Sequence, residues 1–187
     1  LLKMHFLGLR NLSVIDRTLE LIEASTGQRL DIDNVPLDDE PTYEMLRRGE
    51  GIGIFQLEGG PMRALMRSLA PTSFEDVCAL VALYRPGPMA ANLHTDYADR
   101  KNGRKPVVYY HADLEEILAP TYGLMIYQEQ MMQVAQRMAG YSLAEADNLR
   151  KATGKKKRDL IAKERSKFVA GCEAAGYGAS LRGGELV

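Results

Sequence analysis

Signals that end a helix recur at short intervals along this chain and restrict it to a series of short helices. Gly27, Gly49 and Gly176 each follow a segment in which apolar residues recur every three or four positions, as does Pro86-Gly87-Pro88. Glycine favours the left-handed conformation that closes a helix, and proline cannot continue the backbone hydrogen-bond ladder. The pattern predicts about eight helices, among them one over residues 90–101 and one over residues 128–139.

Helix-start signals and apolar stripes support the same prediction. Ser142-x-x-Glu145 matches a capping box, and Ser73-x-x-Asp76 resembles one with Asp in place of the usual Glu. Two helices each have one strongly apolar face, and we interpret both faces, including their methionines, as core. The two stripes are Met62, Leu65, Met66 and Leu69, and Met131, Val134, Ala135 and Met138.

Three short stretches have features of extended structure. Residues 1–9 alternate between apolar and polar side chains at several positions, which is typical of a strand. Residues 51–55 combine glycines with apolar residues and predict a brief extended segment, and residues 123–127 predict a short strand or extended segment. We therefore predict a mostly α fold with minor β structure, in the α+β class.

The length and composition are those of a globular protein. At 187 residues with 45% hydrophobic residues, the chain can bury a substantial core in one ordinary domain or two small ones. Its longest apolar stretch, residues 77–84, is far shorter than the roughly 20 residues that cross a bilayer. Cys78 and Cys172 lie far apart, and we expect reduced thiols in a cytoplasmic protein. Because the chain opens with Leu1 inside an apolar segment, we expect it to be part of a longer protein.

Charge is sorted along the sequence. The net charge is −1, but residues 31–58 carry eight acids against two arginines, whereas residues 150–167 carry nine Lys/Arg against two acids. The second segment therefore has a surplus of seven positive charges. Such a concentration of positive charge favours an anionic partner, such as a polyphosphate or a nucleic-acid backbone.

These cations cluster around Thr153-Gly154, a break between two helical patterns. The first backbone N–H groups of a helix and its dipole attract phosphate, so a cluster at such a junction predicts a phosphate-binding site. A solvated helix face is the alternative interpretation. Arg85, just before the proline-rich turn, also has two interpretations: a ligand for nucleic acid, or a cation that stabilises the C-terminus of the preceding helix.

Several familiar site patterns are missing from the sequence. It has no Walker P-loop, no nucleophile elbow and no cysteine-histidine zinc cluster, and its three histidines, His5, His94 and His111, are dispersed. Asp31-Ile32-Asp33 lies in a turn-rich acidic segment rather than on a strand, so we do not interpret it as a two-metal carboxylate pair. These absences narrow the field of possible functions.

Five sequence blocks, taken in order, resemble one known family. They closely resemble successive blocks of the bacterial replicative DNA polymerase III alpha subunit, a C-family polymerase, and most of all its actinobacterial form. The resemblance covers residues 3–176. The blocks are KMHFLGLR (3–10), GIFQLE (53–58), ALYRPGPM (82–89), YGLMIYQEQ (122–130) and LRKATGKK (149–156).

The resemblance implies a division into parts. Residues 1–29 would form a strand and a helix at the palm edge, residues 30–176 the helical fingers domain, and residues 177–187 an irregular tail outside the family pattern. In the intact cytoplasmic enzyme it implies template-directed addition of deoxynucleoside triphosphates to a primer 3′-end. The implied partners are template-primer DNA, deoxynucleoside triphosphates, the rest of the polymerase chain and replisome subunits such as the sliding clamp, with no membrane.

Two sets of cations receive roles from the resemblance. One set would neutralise the triphosphate, and the other would contact the nucleotide or the DNA backbone. The first set is Lys3, Arg150, Lys151 and Lys155. The second set is Arg85, Lys156 and Lys157.

One departure from the family pattern affects catalysis. The family has Asp, its third palm carboxylate, where this chain has His5, so His5 is predicted to be non-functional as a catalytic residue. The family enzyme uses Mg²⁺, which prefers carboxylate oxygens, and a neutral imidazole is a poor ligand for it. The family's other two carboxylates belong to a stretch that this sequence does not include. We therefore predict that this chain alone holds no metal and has no polymerase activity.

Two other functions are consistent with parts of the sequence. A non-catalytic, degenerate fragment that binds nucleic acid or nucleotide would use the same cations. An all-helical interaction protein that binds partners through the methionine stripe fits the amphipathic helices but leaves the cation cluster unexplained.

Overall fold

The computed structural model describes residues 8–154 and 158–177. These residues form α-helices and three short 3₁₀ turns, and no strand occurs among them. The helices are α1 (Arg10–Thr26), α2 (Glu40–Arg47), α3 (Gly60–Leu69), α4 (Phe74–Leu83), α5 (Pro86–Ala90), α6 (Leu93–Lys101), α7 (Glu115–Leu118), α8 (Gln128–Ala139), α9 (Leu143–Gly154) and α10 (Arg158–Ala174). The 3₁₀ turns are Ile32–Asn34, Ala112–Leu114 and Ala119–Thr121. The described residues therefore have the mostly α fold that the sequence predicts, without its minor β part.

The prediction of an extended segment at residues 51–55 is wrong. These residues form successive turns, and Gly53 has a left-handed φ of +83°. Gly51 packs so closely against Leu57 that a Cβ there would overlap the Leu57 carbonyl. The turns bring Leu57 into the core, where it is buried. Most of the strand predicted at residues 1–9 lies outside the described residues.

The segment before α8 is extended at Tyr127 but forms no strand. The buried side chain of Gln130 explains this arrangement, because its Oε1 accepts hydrogen bonds from the N–H groups of Ile126 (3.0 Å) and Tyr127 (3.1 Å). Its Nε2 donates to Thr121 Oγ1 at 2.7 Å. One side chain thus satisfies the N–H groups that a neighbouring strand would have bonded.

Helix boundaries that depend on local signals agree with the sequence. α1 ends where Gly27 adopts a left-handed φ of +71°, and α8 spans the residues predicted for it. The capping box of α9 is complete, since Glu145 N donates to Ser142 Oγ (3.3 Å) and Ser142 N donates to Glu145 Oε2 (2.8 Å). The apolar stripes contribute the buried residues Met62, Leu65, Met66 and Leu69 on α3, and Val134, Ala135 and Met138 on α8.

Two details predicted for the α4–α6 region are wrong. Pro86-Gly87-Pro88 begins the short helix α5 instead of forming a turn, because proline has the φ that the first helical position needs and lacks only an N–H that would have no partner there. The helix predicted from Ala90 is interrupted at Asn92, whose φ is +55°, and resumes at Leu93.

The first of two packed regions is built mainly from α2, α3, α4 and α6. The edge of the Tyr97 ring meets the Tyr122 ring within it, with the ring centroids 5.1 Å apart. This contact joins α6 to the segment that leads into α8. The fully buried apolar residues of this region are Met66, Leu69, Leu80, Leu83 and Ala98.

A buried ion pair connects three of these helices. Lys101 Nζ at the end of α6 lies 3.3 Å from Asp76 Oδ2 on α4, and their side chains are only 7% and 5% exposed. The same Nζ donates to the Ala70 carbonyl after α3 at 2.8 Å. Asp76 N donates to Ser73 Oγ (3.4 Å), so Ser73 caps α4 as predicted. The Asp76 carboxylate instead accepts from the Thr72 N–H (2.9 Å), so the predicted reciprocal half of this capping box does not form.

The second packed region is built from α7, α8, α9 and α10. α10 crosses α8 where Gly171 lies against Ala139, and a Cβ on residue 171 would overlap the Ala139 carbonyl oxygen. Cys172 is buried beside this crossing, whereas Cys78, which lies in an apolar run of the sequence, is exposed on α4. The buried residues of the main cluster are Leu114, Leu118, Val134, Met138 and Cys172.

Glu145 and Tyr141 fasten α10 to the beginning of α9. Glu145 Oε1 accepts a hydrogen bond from Lys167 Nζ at 2.8 Å, and that ammonium lies 4.5 Å from the centre of the Tyr141 ring. Tyr141 OH donates to Glu164 Oε2 at 3.2 Å. The bond from Lys167, followed by those from Ser142, lowers the pKa of Glu145 to about 2.

α1 differs from the other long helices because none of its residues is buried. Its apolar side chains Leu12, Val14 and Leu21 are all exposed. α1 therefore takes no part in either packed region. Neither α1 nor any other helix in residues 8–154 and 158–177 combines the length and apolar character needed to cross a membrane.

Replacing Lys101 with Met should lower the free energy of unfolding by about 3 kcal/mol, because it leaves the buried Asp76 carboxylate without its cation. Lys105→Met is the matched control. Lys105 Nζ pairs with Asp96 at 2.6 Å, but both side chains are substantially exposed, at 51% and 31%. Its loss should therefore cost less than about 1 kcal/mol. Denaturant unfolding measures both values, and equal losses would contradict a special role for the buried pair.

Replacing Glu145 with Gln should lower Tm at neutral pH. It should also reduce the change of Tm with pH in the acid range. The folded state lowers the pKa of Glu145 from 4.5 to about 2, so its stabilising effect is fully present above pH 4.5 and is lost as the pH falls towards 2. Thermal melts across that range measure the effect. Glu116→Gln, which removes the carboxylate of the exposed pair with Arg137, is the control and should change Tm less. Parallel pH profiles for wild type and Glu145→Gln would refute the assignment.

Candidate phosphate-binding site

α9 positions Arg150 and Lys151, the two candidate triphosphate ligands that lie within the described residues. The capping box fixes the beginning of the helix, and Ala146 and Ala152 anchor it in the core, where both are buried. Successive residues on a helix are about 100° apart, so the two cations leave α9 in different directions. Their side chains nevertheless converge.

Asp147 causes this convergence because it lies three residues before Arg150 and four before Lys151 on the same helix. Its Oδ1 accepts hydrogen bonds from Arg150 Nε (2.9 Å) and Nη2 (2.7 Å). Its Oδ2 lies 2.6 Å from Lys151 Nζ. The bond from Lys151, and then that from Arg150, lowers the pKa of Asp147 below its usual value. One ionised carboxylate thus brings two cations to a single place.

Arg150 has a further contact outside α9. Its Nη1 lies 3.4 Å from Oε1 of Gln128, the first residue of α8. The Arg150 side chain is 34% exposed, whereas that of Lys151 is 55% exposed. Arg150 is therefore held between two helices, while Lys151 reaches further into solvent.

The arrangement suits the binding of phosphate oxygens. Arginine presents a planar fork that can bond two oxygens, and lysine presents a movable point charge. With Asp147 ionised, the three groups carry a net charge of about +1, and the exposed Lys151 can turn towards an incoming anion.

The structure describes the side chains of three of the remaining cations of the cluster, Lys163, Arg165 and Lys167. Lys167 is committed to the α9–α10 contact through Glu145. Lys163 and Arg165 on α10 are exposed and form no ion pair with another described residue. The candidates Lys155, Lys156 and Lys157 lie in the gap between the described ranges. The described part of α9 runs through Thr153 and Gly154, and that of α10 begins at Arg158, so the junction predicted near Thr153-Gly154 borders the gap and stays a prediction.

Arg85 lies in the first packed region and not on α9. It occupies the N-cap position of α5, two residues after the last residue of α4. Its side chain is exposed and forms no hydrogen bond or ion pair with another described residue. Its position two residues after α4 keeps the charge near the C-terminus of that helix, so both interpretations of Arg85 stay open.

The remaining candidates, Lys3 and His5, lie outside the described residues. Within residues 8–154 and 158–177, no three His, Cys, Asp or Glu side chains come together as a metal site. His5 offers a nitrogen where Mg²⁺ prefers an anionic oxygen. Among the described residues, therefore, no group of three such donors is placed to hold Mg²⁺.

An apolar cavity of about 290 Å³ lies between α7, α8, α9 and α10. Leu149, which lines it, is adjacent to Arg150 in sequence, so their side chains leave α9 about 100° apart. A triphosphate would lose its hydration in an apolar cavity without gaining enough hydrogen-bond donors. The cavity is therefore unsuited to a triphosphate, although Thr153, Glu164 and Arg165 also line it. Its apolar lining includes Leu114, Met131, Val134, Leu149, Ile161 and Phe168.

Asp147 and Gln128 are the two residues of the site that the sequence analysis missed. The spacing of Asp147 from Arg150 and Lys151 is a visible signal, because residues three and four apart are neighbours on a helix. Gln128 has no comparable signal. Its contact with Arg150 depends on how α8 packs against α9.

Comparison with known proteins confirms the resemblance. A family model described as the bacterial DNA polymerase III alpha subunit finger domain matches residues 11–176. DNA polymerase III subunit alpha of Mycobacterium leprae is 58% identical over 181 residues, which are 95% of this chain and 15% of that protein. The Mycobacterium tuberculosis protein of the same name is 57% identical over 181 residues, with the same coverage of both chains. The Pseudomonas aeruginosa protein is 46% identical over 192 residues, which cover 98% of this chain and 16% of that protein.

The chain thus spans about 15% of the length of the mycobacterial relatives. The matching part is the finger domain, and the family match covers most of the chain. The chain belongs to the bacterial DNA polymerase III alpha subunit family, as a fragment that corresponds to the finger domain.

Proposed function

We propose that this chain is the fingers part of a replicative DNA-directed DNA polymerase, where it binds the phosphates of an incoming deoxynucleoside triphosphate and of template-primer DNA. The observation that supports this most directly is the convergence of Arg150 and Lys151 on Asp147. Two cations at one partly exposed place provide the donors and the charge that a polyphosphate needs.

Further residues extend the proposed binding surface. Lys155 would join Arg150 and Lys151 at the triphosphate, because it follows them at the junction of α9 and α10. Lys3 would reach the same phosphates from the palm edge. The DNA backbone would be contacted by Arg85, Lys156 and Lys157. The Arg85 side chain is exposed and has no ion-pair partner in the described part of the chain, which supports this role.

The intact cytoplasmic enzyme would use Mg²⁺ to transfer a nucleotidyl group to the primer 3′-end, in company with the rest of the polymerase chain and replisome subunits such as the sliding clamp. In it, residues 1–29 would belong to the palm edge and residues 30–176 to the fingers. The described residues hold no group of metal-binding donors, and the contribution proposed for this chain is to bind and orient phosphates. Residues 177–187 would form an irregular tail.

A second function, non-catalytic binding of nucleotide or nucleic acid, is favoured by one observation in the sequence. His5 stands where the resemblance implies a palm carboxylate. A degenerate polymerase fragment would keep the cations of α9 and lose the metal ligands. The two functions differ in whether an intact palm accompanies this chain.

Changing Arg150 and Lys151 together to Ala should weaken the binding of a fluorescent deoxynucleoside triphosphate by about 2 kcal/mol, because charged hydrogen bonds to phosphate are lost. The slope of log K against log salt for duplex DNA should fall by roughly two. Fluorescence anisotropy at several salt concentrations measures both. Melting temperature should change little, since exposed ion pairs contribute less than about 1 kcal/mol.

Lys163→Ala with Arg165→Ala is the matched control for this double change. It removes the same charge from α10, where neither side chain has an ion-pair partner among the described residues. Its effect on triphosphate binding should be clearly smaller. Equal effects would show that general charge, and not the pair on α9, binds the ligand.

The isolated chain should have no polymerase activity, because it lacks a set of carboxylates that can hold Mg²⁺. A primer-extension assay on protein shown to be free of host polymerase tests this. His5→Asp should remain inactive too, since one carboxylate does not form a two-metal site. Extension above the no-enzyme background would refute the prediction.

A further inference from the structure

The Asp147 carboxylate holds the two cations of the candidate site unequally. Arg150 donates two hydrogen bonds to Oδ1 and lies within reach of Gln128 on α8. Among the described residues Lys151 has a single partner, Oδ2 of Asp147, and it is the more exposed of the two cations. Freeing Lys151 therefore breaks one contact, whereas freeing Arg150 breaks several.

We propose that Asp147 is a positioning residue with a different effect on each cation. It keeps the Arg150 fork in a fixed orientation, and it acts as a counter-ion that incoming phosphate displaces from Lys151. This inference rests on the proposed function, because it takes Arg150 and Lys151 as phosphate ligands. It adds that Arg150 stays in place and Lys151 moves when phosphate binds.

The energetics of exposed charges favour this exchange. A solvent-exposed Lys–Asp pair is weak, because water screens its attraction and ordering the lysine costs entropy. A polyphosphate carries several negative charges, so it competes well for Lys151 with the single charge of Asp147. The ammonium group can turn on its flexible stem, while the planar guanidinium of Arg150 stays aligned by Asp147 and Gln128.

Asp147 must then reduce the affinity of the wild-type site for phosphate. While Oδ2 is paired with Lys151, part of the positive charge is neutralised before the ligand arrives. With Asn at this position Lys151 is available from the beginning, and the bonds that orient Arg150 lose their charge assistance. The two effects can be measured separately.

The first measurement is a calorimetric titration of the 187-residue chain with inorganic tripolyphosphate. Asp147→Asn should bind about threefold to fivefold more tightly than wild type, the change expected from the loss of one exposed competing pair. Asp159→Asn is the matched control, because it removes the same charge from the first turn of α10, and no ion pair joins Asp159 to a described cation. Its effect should be less than about twofold at physiological salt.

The second measurement identifies the cation that is released. When Lys151 is already changed to Ala, Asp147→Asn should no longer raise the affinity above that of Lys151→Ala alone, since no lysine remains to be freed. By NMR, the Arg150 Nε–H in wild type should stay protected from solvent exchange when tripolyphosphate is added, while the Lys151 side-chain signals shift. In Asp147→Asn the same Nε–H should be less protected without any ligand, because a neutral acceptor holds it more weakly.

The outcomes separate this inference from the proposed function. If wild type binds tripolyphosphate but Asp147→Asn binds no more tightly than Asp159→Asn, Asp147 is not a displaceable counter-ion and the inference fails alone. A gain that persists without Lys151, or a ligand that releases Arg150 instead, overturns it as well. If neither wild type nor any variant binds tripolyphosphate, the proposed phosphate site is wrong and the inference falls with it.

Discussion

The ion pair between Lys101 and Asp76 is the contact on which the first packed region depends most. It brings the end of α6 to the beginning of α4, and the Lys101 bond to the Ala70 carbonyl adds the end of α3. Both charges are almost fully removed from water, which is tolerated only because each has several partners. Thr72 supplies the partner that completes the Asp76 carboxylate.

Arg100, the residue before Lys101 on α6, connects the first packed region to the segment that leads to the candidate site. Arg100 Nη1 donates to the carbonyls of Val108 and Tyr122, which fixes the segment before α8 against α6. Gln130 then closes that segment onto the first turn of α8. Gln128, at the beginning of the same helix, meets Arg150. The placement of a candidate phosphate ligand thus depends on a series of contacts that begins in the core of another helical region.

Features set by residues close in sequence were the ones that the sequence could predict. The Ser142–Glu145 capping box and the left-handed Gly27 depend on a few neighbouring residues, and both were found where expected. Asp76 differs from its predicted role because its carboxylate accepts from the Thr72 N–H instead, and because Lys101, its cation, lies 25 positions away and approaches only through folding. Asp147 is a different case. Its partners are three and four residues away on one helix, so its contacts can be predicted from helical spacing alone.

α8 and α10 approach each other closely where Gly171 meets Ala139, and a tilt of α10 would turn about this point. Lys163 lies eight residues before Gly171 on the same helix, which is a distance of roughly 12 Å along the helix axis at 1.5 Å per residue. A tilt of about 10° around the crossing would move that part of α10 by roughly 2 Å relative to α9, given this helical rise. The spacing between the cations of the two helices is therefore sensitive to the size of a single side chain far from either of them, and a methyl group at position 171 is enough to change it.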